Sequence, residues 1–390
     1  MRKVAVIGVG SSKFGVRNDV NILELIFEAF KHSIDDASIS PKEIELLTLG
    51  SAGAALWYEE VTPAALVAEY CGLSGIGILR CEAACASGGS ALATAYWAIA
   101  SKQVDVAITI GFEKMWQVDT PFTIELIGRA GHYLWEFHNF GMTFPAYYAL
   151  YARAHMSKYG TDEEDLALVA VKNHKYGSMN PLAHIQKRVT VEEVLNSPII
   201  ASPLKLLDCC PISDGATSII LASEDKVREL GIDTPIWIAA IGFASEKASI
   251  NKRSSYVGLE STVIASQRAY RMAKVSPEQI DVAEVHDCFT IAEIMAYEDL
   301  GFCKKGEGRR LIREGQTEIG GKIPVNVDGG LKAKGHPIGA TGCSMIYELT
   351  RQLREEVTKE GRQVPMKNYV ALAHNVGGTG QYCYVTILRR

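Results

Sequence analysis

Two cysteines and two histidines stand where the local sequence could make a side chain reactive. The first, Cys85, lies in RCEAACASGGSALATA, just before a Gly/Ser turn and an alanine-rich helical segment. The positive end of a helix dipole lowers the pKa of a cysteine and favours the nucleophilic thiolate. Cys85 is therefore a candidate nucleophile, and a structural cysteine packed among small residues is the alternative interpretation.

The other three candidates lie in two further short segments. His286 and Cys288 stand two residues apart in AEVHDCFT, at the end of an apolar run that predicts a buried strand. His336 lies in GGLKAKGHPIGATG, ahead of a second Gly/Ala-rich helix start. A histidine beside a thiol can accept its proton. Taken singly, each could also be a buried cysteine or a hydrogen-bonded histidine with no chemical role.

The composition is that of an ordinary globular protein. The chain has 390 residues, 47% apolar and 22% charged, with a formal net charge of -5. This length suits two domains or one doubled domain, and the charge offers no basic surface to nucleic acid. No apolar run approaches the roughly 18 residues of a membrane span. The N-terminal MRKVAVIGVGSSKFG predicts a first strand and a glycine turn rather than a signal peptide.

Nine cysteines are scattered along the chain. None has the CxxC spacing of a zinc or redox site, and the odd number argues against a disulfide framework. We therefore expect a reducing, cytoplasmic compartment and no metal site.

An internal repeat organises the sequence. SPKEIE at 40–45 recurs as SPEQID at 276–281, and each follows an amphipathic helical segment and precedes an apolar one. VAVIGVGSS at 4–12 likewise resembles WIAAIGFAS at 237–245. Buried strands that alternate with helices predict an α/β fold with a mostly parallel sheet, here built twice with pseudo-two-fold symmetry.

The repeat also relates the candidate residues. The segment 85–113 reads as a small-residue turn, a helix and a buried strand, and 335–353 followed by 368–380 has the same plan. His336 therefore occupies roughly the place of Cys85 in the other half. In such folds ligands bind at the carboxyl ends of strands and at helix N-termini.

One long segment has no counterpart in the second half. Residues about 114–205 form an insertion, aromatic at first in YLWEFHNFGMTFPAYYALY and then helical and charged. Insertions of this size serve as lids or oligomer surfaces, so the aromatic run could cover an acyl pocket or form a subunit interface. We divide the chain into 1–225, which includes this insertion, and 226–390.

Four motifs together resemble the thiolase family over essentially the whole chain. They are C-A-S-G at 85–88, H-D-C-F at 286–289, G-H-P-I-G-A-T-G at 335–342 and H-N-V-G-G-T-G at 374–380. The resemblance implies the α/β thiolase fold: two similar five-stranded mixed-sheet halves in a five-layered αβαβα arrangement, plus a loop domain. D-G-A at 214–216, before TSIILAS, also fits.

The motifs indicate a particular branch of that family. Common bacterial biosynthetic thiolases carry Asn-Glu-Ala-Phe where this chain has His-Asp-Cys-Phe, and they carry a second catalytic cysteine where this chain has Asn375. In this respect the chain is similar to archaeal and sterol-carrier-protein-type thiolases, in which that cysteine lies in the HDCF loop.

The resemblance implies a role for each site residue. Cys85 would take the acyl group, His336 would accept its proton, Cys288 would remove the α-proton of the second acyl-CoA, and His286 would donate to the enolate oxygen. The backbone N–H groups of Cys85 and Gly377 would form a second oxyanion hole. Ser245 and Lys332 are candidate contacts for coenzyme A, which is expected as part of the substrates, with no separate cofactor.

The expected activity is that of an acetyl-CoA C-acetyltransferase, which joins two acetyl-CoA into acetoacetyl-CoA for the mevalonate pathway. The alternatives are a degradative thiolase for longer 3-ketoacyl-CoA and a catalytically silent scaffold or lipid-binding protein. A ketoacyl-ACP synthase fits poorly with G-H-P and the HDCF cysteine. The resemblance also implies a homodimer or tetramer, with HMG-CoA synthase and a zinc-ribbon/OB-fold protein as partners.

Overall fold

The computed structural model describes residues 2–390, apart from the side chains of residues 55 and 56. The strands are β1 (Val4–Ser11), β2 (Leu46–Gly50), β3 (Gly77–Cys81), β4 (Val106–Lys114), β5 (Ile199–Ala201), β6 (Leu204–Lys205), β7 (Asp214–Ser223), β8 (Ile236–Ser245), β9 (Val282–Val285), β10 (Val370–Gly377) and β11 (Tyr382–Arg389). The helices are α1 (Ile22–Ala37), α2 (Ala54–Trp57), α3 (Pro63–Tyr70), α4 (Ser87–Ala100), α5 (Thr120–Gly128), α6 (Phe144–Tyr159), α7 (Glu163–Gly177), α8 (Val191–Leu195), α9 (Glu224–Glu229), α10 (Glu260–Ala273), α11 (Thr290–Asp299), α12 (Gly308–Arg313), α13 (Gly330–Ala333) and α14 (Thr341–Leu353).

The two halves are built alike, as the repeat predicts. Strand order is β3-β2-β4-β7-β1 in the first half and β9-β10-β11-β8 in the second, and β1 meets β8 through a short antiparallel pairing. In the second half Val325 forms a parallel bridge to Ala283, in the position that β3 occupies beside β2. The fifth strand of the second half is thus reduced to one bridge.

The helices complete five layers. Helix α1 packs on β1 and β7, and α10 packs on β8 and β11. Helices α4 and α14 contact each other; α4 packs on β2 and β4, and α14 packs on β10 of the second half and also on β7 and β4 of the first half. The order is therefore helix, sheet, helices, sheet, helix, as the family resemblance implies. The prediction of a mostly parallel sheet is wrong, because β2 pairs in parallel with β3 and β4, and β9 with β10, while the other neighbouring strands of the large sheet are antiparallel.

The repeated SP motifs have the same local structure. Ser40 and Ser276 each begin a short 3₁₀ turn, and the side chain three residues later accepts a hydrogen bond from the serine N–H, at 3.3 Å from Glu43 and 3.0 Å from Gln279. Each turn then leads into the second strand of its half. The sequence match therefore reflects the same capped turn, which connects a helix to the following strand in each half.

The insertion lies between β4 and β7 and contains α5 to α8 with the small β5–β6 hairpin. Its helix α7 packs against α11, α12 and α13 of the second half. Within residues 2–390, no helix combines the length and the apolar character needed to cross a membrane.

Small residues let α4 and α14 approach each other at their N-termini. A Cβ atom added to Gly88 would lie 2.7 Å from the Gly339 carbonyl oxygen and 3.0 Å from the Cys343 nitrogen. Both are backbone atoms, which cannot move without shifting a helix start. Because no side chain separates Gly88 from Gly339, the segments that carry Cys85 and His336 can lie side by side.

We expect Gly88→Ala to destabilise the protein by roughly 1–3 kcal/mol, because overpacking against the backbone outweighs the better helix propensity of alanine. The midpoint of urea unfolding measures this loss. Gly77→Ala is the control, since Gly77 is exposed on β3 and its added Cβ would approach the flexible Leu46 side chain at 3.1 Å, while the nearest backbone atom, the Glu45 oxygen, is at an ordinary 3.7 Å. Equal midpoints for the two variants would contradict the close-packing argument.

Candidate active site

Cys85 lies in a 3₁₀ turn, Ala84–Ala86, directly before α4. Its side chain is buried in an apolar cluster with Trp57, Met115, Leu126 and Ile338. The predicted position at a helix N-terminus is thus confirmed.

Asn375 on β10 fixes this turn from the other half of the molecule. Its Nδ2 donates to the Cys85 carbonyl oxygen at 3.0 Å, and its Oδ1 accepts from the Gly89 N–H at 3.3 Å. Sequence reasoning treated Asn375 only as the replacement for a cysteine. The structure shows that it holds the backbone on both sides of the C-A-S-G motif.

His336 is oriented by Thr341. The distance from His336 Nδ1 to Thr341 Oγ1 is 2.7 Å, and the Thr341 hydroxyl donates to the Pro337 carbonyl at 3.1 Å. Because the hydroxyl proton is used there, His336 Nδ1 carries the hydrogen and donates it, which leaves the lone pair on Nε2. No described residue is hydrogen-bonded to that buried Nε2. It is therefore free to accept a proton.

His286 completes the group. Its ring lies 5.0 Å from that of His336, nearly edge to face at 84°. Cys85 Sγ and one ring nitrogen from each histidine all lie within 4.8 Å of one another. His286 is buried, and neither of its ring nitrogens has a hydrogen-bond partner in the described part of the chain. The predicted nucleophile and two histidines therefore meet in one place.

Cys288 follows β9 and is buried. Tyr148 lies close enough to affect the pKa of the Cys288 thiol, and the Tyr148 ring stacks on Phe289 with a centroid distance of 4.6 Å. Tyr148 belongs to α6 in the insertion. The prediction that the aromatic segment covers the site is thus met at this residue, which the sequence did not single out.

A cavity of about 190 Å³ joins the two cysteines, and its wall is almost wholly apolar. His336 and Gly378 also line it, with Met115, Ile124, Ile127, Phe144, Pro145, Cys209, Cys210, Pro211, Ile212, Phe289 and Ile338. A second cavity of about 110 Å³ also reaches Cys85, and Trp57, Leu126 and Ile127 form part of its wall. Cys85 therefore lies between two apolar spaces.

Asp287 joins the HDCF loop to the GHP loop. Its carboxylate accepts from the N–H groups of Leu331 at 2.7 Å and Lys332 at 3.2 Å, and from Asn173 Nδ2 at 2.7 Å. Burial raises the pKa of Asp287 to about 7, with a further contribution from Glu293. Asp287 therefore helps to position the loop of Cys288, and its carboxylate bonds to these three groups rather than to the cysteines.

Burial controls the proton affinities of the site. It raises the pKa of Cys85 to about 12, although the N–H groups of Gly378 and Cys85 itself act in the opposite direction. The predicted helix-dipole thiolate is therefore wrong for the ligand-free state, because loss of water outweighs the dipole. Burial also lowers the pKa of His336 to about 3 and that of His286 well below its ordinary value. Both histidines are neutral at pH 7.

Two further predicted residues, Gly377 and Ser245, lie at the ends of strands. Gly377 ends β10, packed against Ala83, and the N–H that faces the Cys85 sulfur belongs to Gly378, one residue later than predicted. Ser245 is exposed at the end of β8, and its role stays a prediction.

Lys332 does not suit the predicted contact with coenzyme A. Its side chain is 1% exposed, and its ammonium lies 3.3 Å from His174 Nε2. The predicted contact requires an accessible ammonium, but Lys332 lies in the buried helix α13, whose N–H groups bind Asp287.

Two family models account for nearly all of the chain. Residues 4–225 match the thiolase N-terminal domain, and residues 242–390 match a thiolase C-terminal domain-like model. The chain belongs to the thiolase family, and it is an enzyme of the acyltransferase class. The predicted division at residue 225 stays a prediction.

Individual relatives agree with this assignment. The chain is 45% identical over 390 residues to the acetyl-CoA acetyltransferase of Methanothermobacter thermautotrophicus, and the match covers 100% of both chains. It is 33% identical to human sterol carrier protein 2, over 97% of this chain and 70% of that protein. A solved structure named Ltp2-ChsH2(DUF35) aldolase superimposes with a TM-score of 0.83 and 26% identity, covering 98% of this chain and 97% of that one.

We expect Thr341→Val to lower kcat roughly fivefold or more with little change in KM, because a net hydrogen bond of about 1 kcal/mol holds the His336 tautomer. Steady-state thiolysis of acetoacetyl-CoA measures both constants. Thr341→Ser keeps the hydroxyl and should restore kcat. A valine variant as fast as the wild type would show that Thr341 does not position His336.

Proposed function

We propose that the protein is an acetyl-CoA C-acetyltransferase that condenses two acetyl-CoA through an acetyl-Cys85 intermediate. The observation that carries this proposal is the meeting of Cys85 with ring nitrogens of His286 and His336 that lack hydrogen-bond partners among residues 2–390, beside an apolar cavity lined by Cys85, His336 and Cys288. The acetyl-CoA acetyltransferase name of the archaeal relative supports the same reaction.

In the first half-reaction Cys85 attacks the thioester carbonyl. Its proton passes to His336 Nε2, which the Thr341 hydrogen bond leaves unprotonated, and then to the departing coenzyme A sulfur. The N–H groups of Cys85 and Gly378, which lower the pKa of the Cys85 thiol, would donate to the oxyanion that forms beside the sulfur. Removing one such donor typically lowers a rate by roughly 10²–10³.

In the second half-reaction Cys288 acts as the base. Burial raises its pKa well above that of an ordinary thiol, and the nearby Tyr148 partly offsets this. The Cys288 thiol first loses its proton to the buffer, and the resulting thiolate is a strong base, as the weakly acidic α-proton of a thioester requires. His286 and His336 would donate to the enolate oxygen. The new carbon–carbon bond expels the Cys85 sulfur, which recovers a proton from Cys288.

A second candidate activity is cleavage of 3-ketoacyl-CoA with longer acyl chains. The 110 Å³ cavity on the far side of Cys85 favours it, because Trp57, Leu126 and Ile127 could surround an alkyl chain attached to the sulfur. An acetyl group would leave most of that space unused. The two activities share the mechanism and differ in the acyl group that Cys85 accepts.

We expect acetyl-CoA to label Cys85 in both the wild type and Cys288→Ala, while the variant loses condensation by roughly 10²–10⁴, the usual contribution of a general base. Peptide mass spectrometry locates the label, and a coupled assay follows acetoacetyl-CoA. A parallel octanoyl-CoA sample tests the longer-chain activity.

Cys303→Ser is the control for this experiment, since Cys303 lies outside both cavities and should leave labelling and turnover unchanged. Strong octanoyl label with faint acetyl label would favour the second candidate. No label on Cys85 from either donor would contradict both activities and favour a silent scaffold.

We also propose that the protein forms a homodimer through β3. This strand is at the edge of the sheet, and Ile78 and Leu79 on it are exposed apolar residues. An unpaired apolar edge of this kind is a template for pairing with a second chain. A tetramer is the alternative.

A separate surface on the insertion suits the proposed partners. Leu134, Trp135 and Phe140 are all exposed there, and clustered apolar side chains mark interaction sites. The partners would be HMG-CoA synthase, which consumes acetoacetyl-CoA in the mevalonate pathway, and a zinc-ribbon/OB-fold protein. Because condensation of acetyl-CoA is uphill, contact with the consuming enzyme would help the product to be removed.

Light scattering after size-exclusion chromatography should give twice the 42.5 kDa mass of one chain, and Leu79→Lys should shift it towards the monomer. Adding the two partner proteins should give a larger complex, which Trp135→Lys weakens. A monomeric wild type would contradict the proposed dimer through β3. Separate elution of all three proteins would contradict the proposed complex with the partners.

A further inference from the structure

The geometry points to a binding site for a thiophilic divalent metal ion, Zn²⁺ above all, formed by Cys85, His286 and His336. We infer that the ion binds the ligand-free enzyme and inhibits it. This inference goes beyond the proposed function. Metal binding does not depend on which reaction the enzyme catalyses, whereas the inhibition rests on the proposed function. Sequence spacing could not reveal the site, because its three ligands come from segments about 50 and 200 residues apart.

The distances suit such a site. Cys85 Sγ and one nitrogen from each histidine lie within 4.8 Å of one another. Zn–S bonds of about 2.3 Å and Zn–N bonds of about 2.0–2.1 Å place tetrahedral ligand atoms roughly 3.3–3.6 Å apart. Rotation of the two imidazole rings that shortens the distances between ligand atoms by about 1 Å would give the geometry of a zinc site.

The donor atoms are ready to bind metal. His336 Nε2 carries a lone pair because Nδ1 donates to Thr341, and this is the outer hydrogen bond that metal-binding histidines usually make. Both nitrogens of His286 are buried without a partner among the described residues. An unpaired buried nitrogen is costly, so a metal ion that uses it gains more than at a hydrated surface histidine.

Binding exchanges one proton for the metal. The Cys85 S–H bond breaks, the sulfur binds the ion as thiolate, and the proton leaves to the buffer. Cys85 and His336 line the same cavity as Cys288, so water or the Cys288 thiolate would take the fourth position of the tetrahedron. With Cys85 and the proton acceptor His336 both bound to the metal ion, the enzyme cannot accept an acyl group.

Titration with Co²⁺ in the absence of coenzyme A tests the site directly. We expect one tightly bound ion per chain, with intense tetrahedral d–d bands and a sulfur-to-cobalt charge-transfer band. Zn²⁺ should displace Co²⁺ stoichiometrically. Alkylation of Cys85 with iodoacetamide should abolish the charge-transfer band, and Cys85→Ser should weaken binding at least 100-fold.

Two variants complete the design. His286→Asn should weaken Co²⁺ binding at least tenfold, and Cys303→Ser should bind as the wild type does. Circular dichroism of each variant shows whether it is folded. Binding that survives both Cys85→Ser and His286→Asn, or no binding by folded wild type, would overturn the inference. Acetyl labelling of Cys85 is measured without metal, so failure of the metal site and failure of the proposed function remain distinguishable.

In the assay, micromolar Zn²⁺ should reduce turnover of the wild type at least tenfold, and excess EDTA should restore it. Enzyme first acetylated on Cys85 should resist Zn²⁺, because a thioester sulfur is a poor ligand. Full activity at a Zn²⁺ concentration that saturates the Co²⁺ site would overturn the inhibitory part of the inference.

Discussion

The close approach of the first turns of α4 and α14 is the constraint on which the rest of the site depends. Gly88 leaves no room for a side chain between its own backbone and that of Gly339. Each helix is the central helix of its half, so the contact places equivalent helix starts side by side. Cys85 and His336 precede these starts. The pseudo-two-fold symmetry of the chain therefore creates an asymmetric pair, a thiol opposite an imidazole.

Polar braces from distant segments then fix each reactive residue. Asn375 holds the turn of Cys85, Thr341 orients His336, and Asp287 ties the loop of Cys288 to the loop before α14. Each brace satisfies backbone or ring groups that burial would otherwise leave unpaired. Among residues 2–390, the nitrogens of His286 and the Nε2 of His336 lack such partners. The unpaired atoms therefore lie where a substrate has to supply the missing interactions.

Much of this arrangement could be predicted from the sequence. The SP repeat correctly related β2 to β9 and α1 to α10, because the same local signals produce the same structure in both halves. Cys85, His286 and His336 were grouped by motif and meet in space. Tyr148 and the bracing role of Asn375 were missed, since a tyrosine in an aromatic run and an asparagine in a strand have no distinguishing pattern. Lys332 was misjudged because burial of a lysine depends on how its loop folds.

Burial sets the pKa values of both cysteines and both histidines of the site, an effect that the sequence motifs do not indicate. Removing water raises the pKa of Cys85 and Cys288 and keeps both histidines neutral. A neutral imidazole can accept the proton of Cys85, and a thiolate that is hard to form is a strong base once formed. The same properties, neutral imidazoles and a thiol in a dry cavity, are those of a ligand set for a thiophilic ion. An active site built this way gains base strength at the risk of capturing metal, and an acyl group on Cys85 removes that risk because it occupies the sulfur.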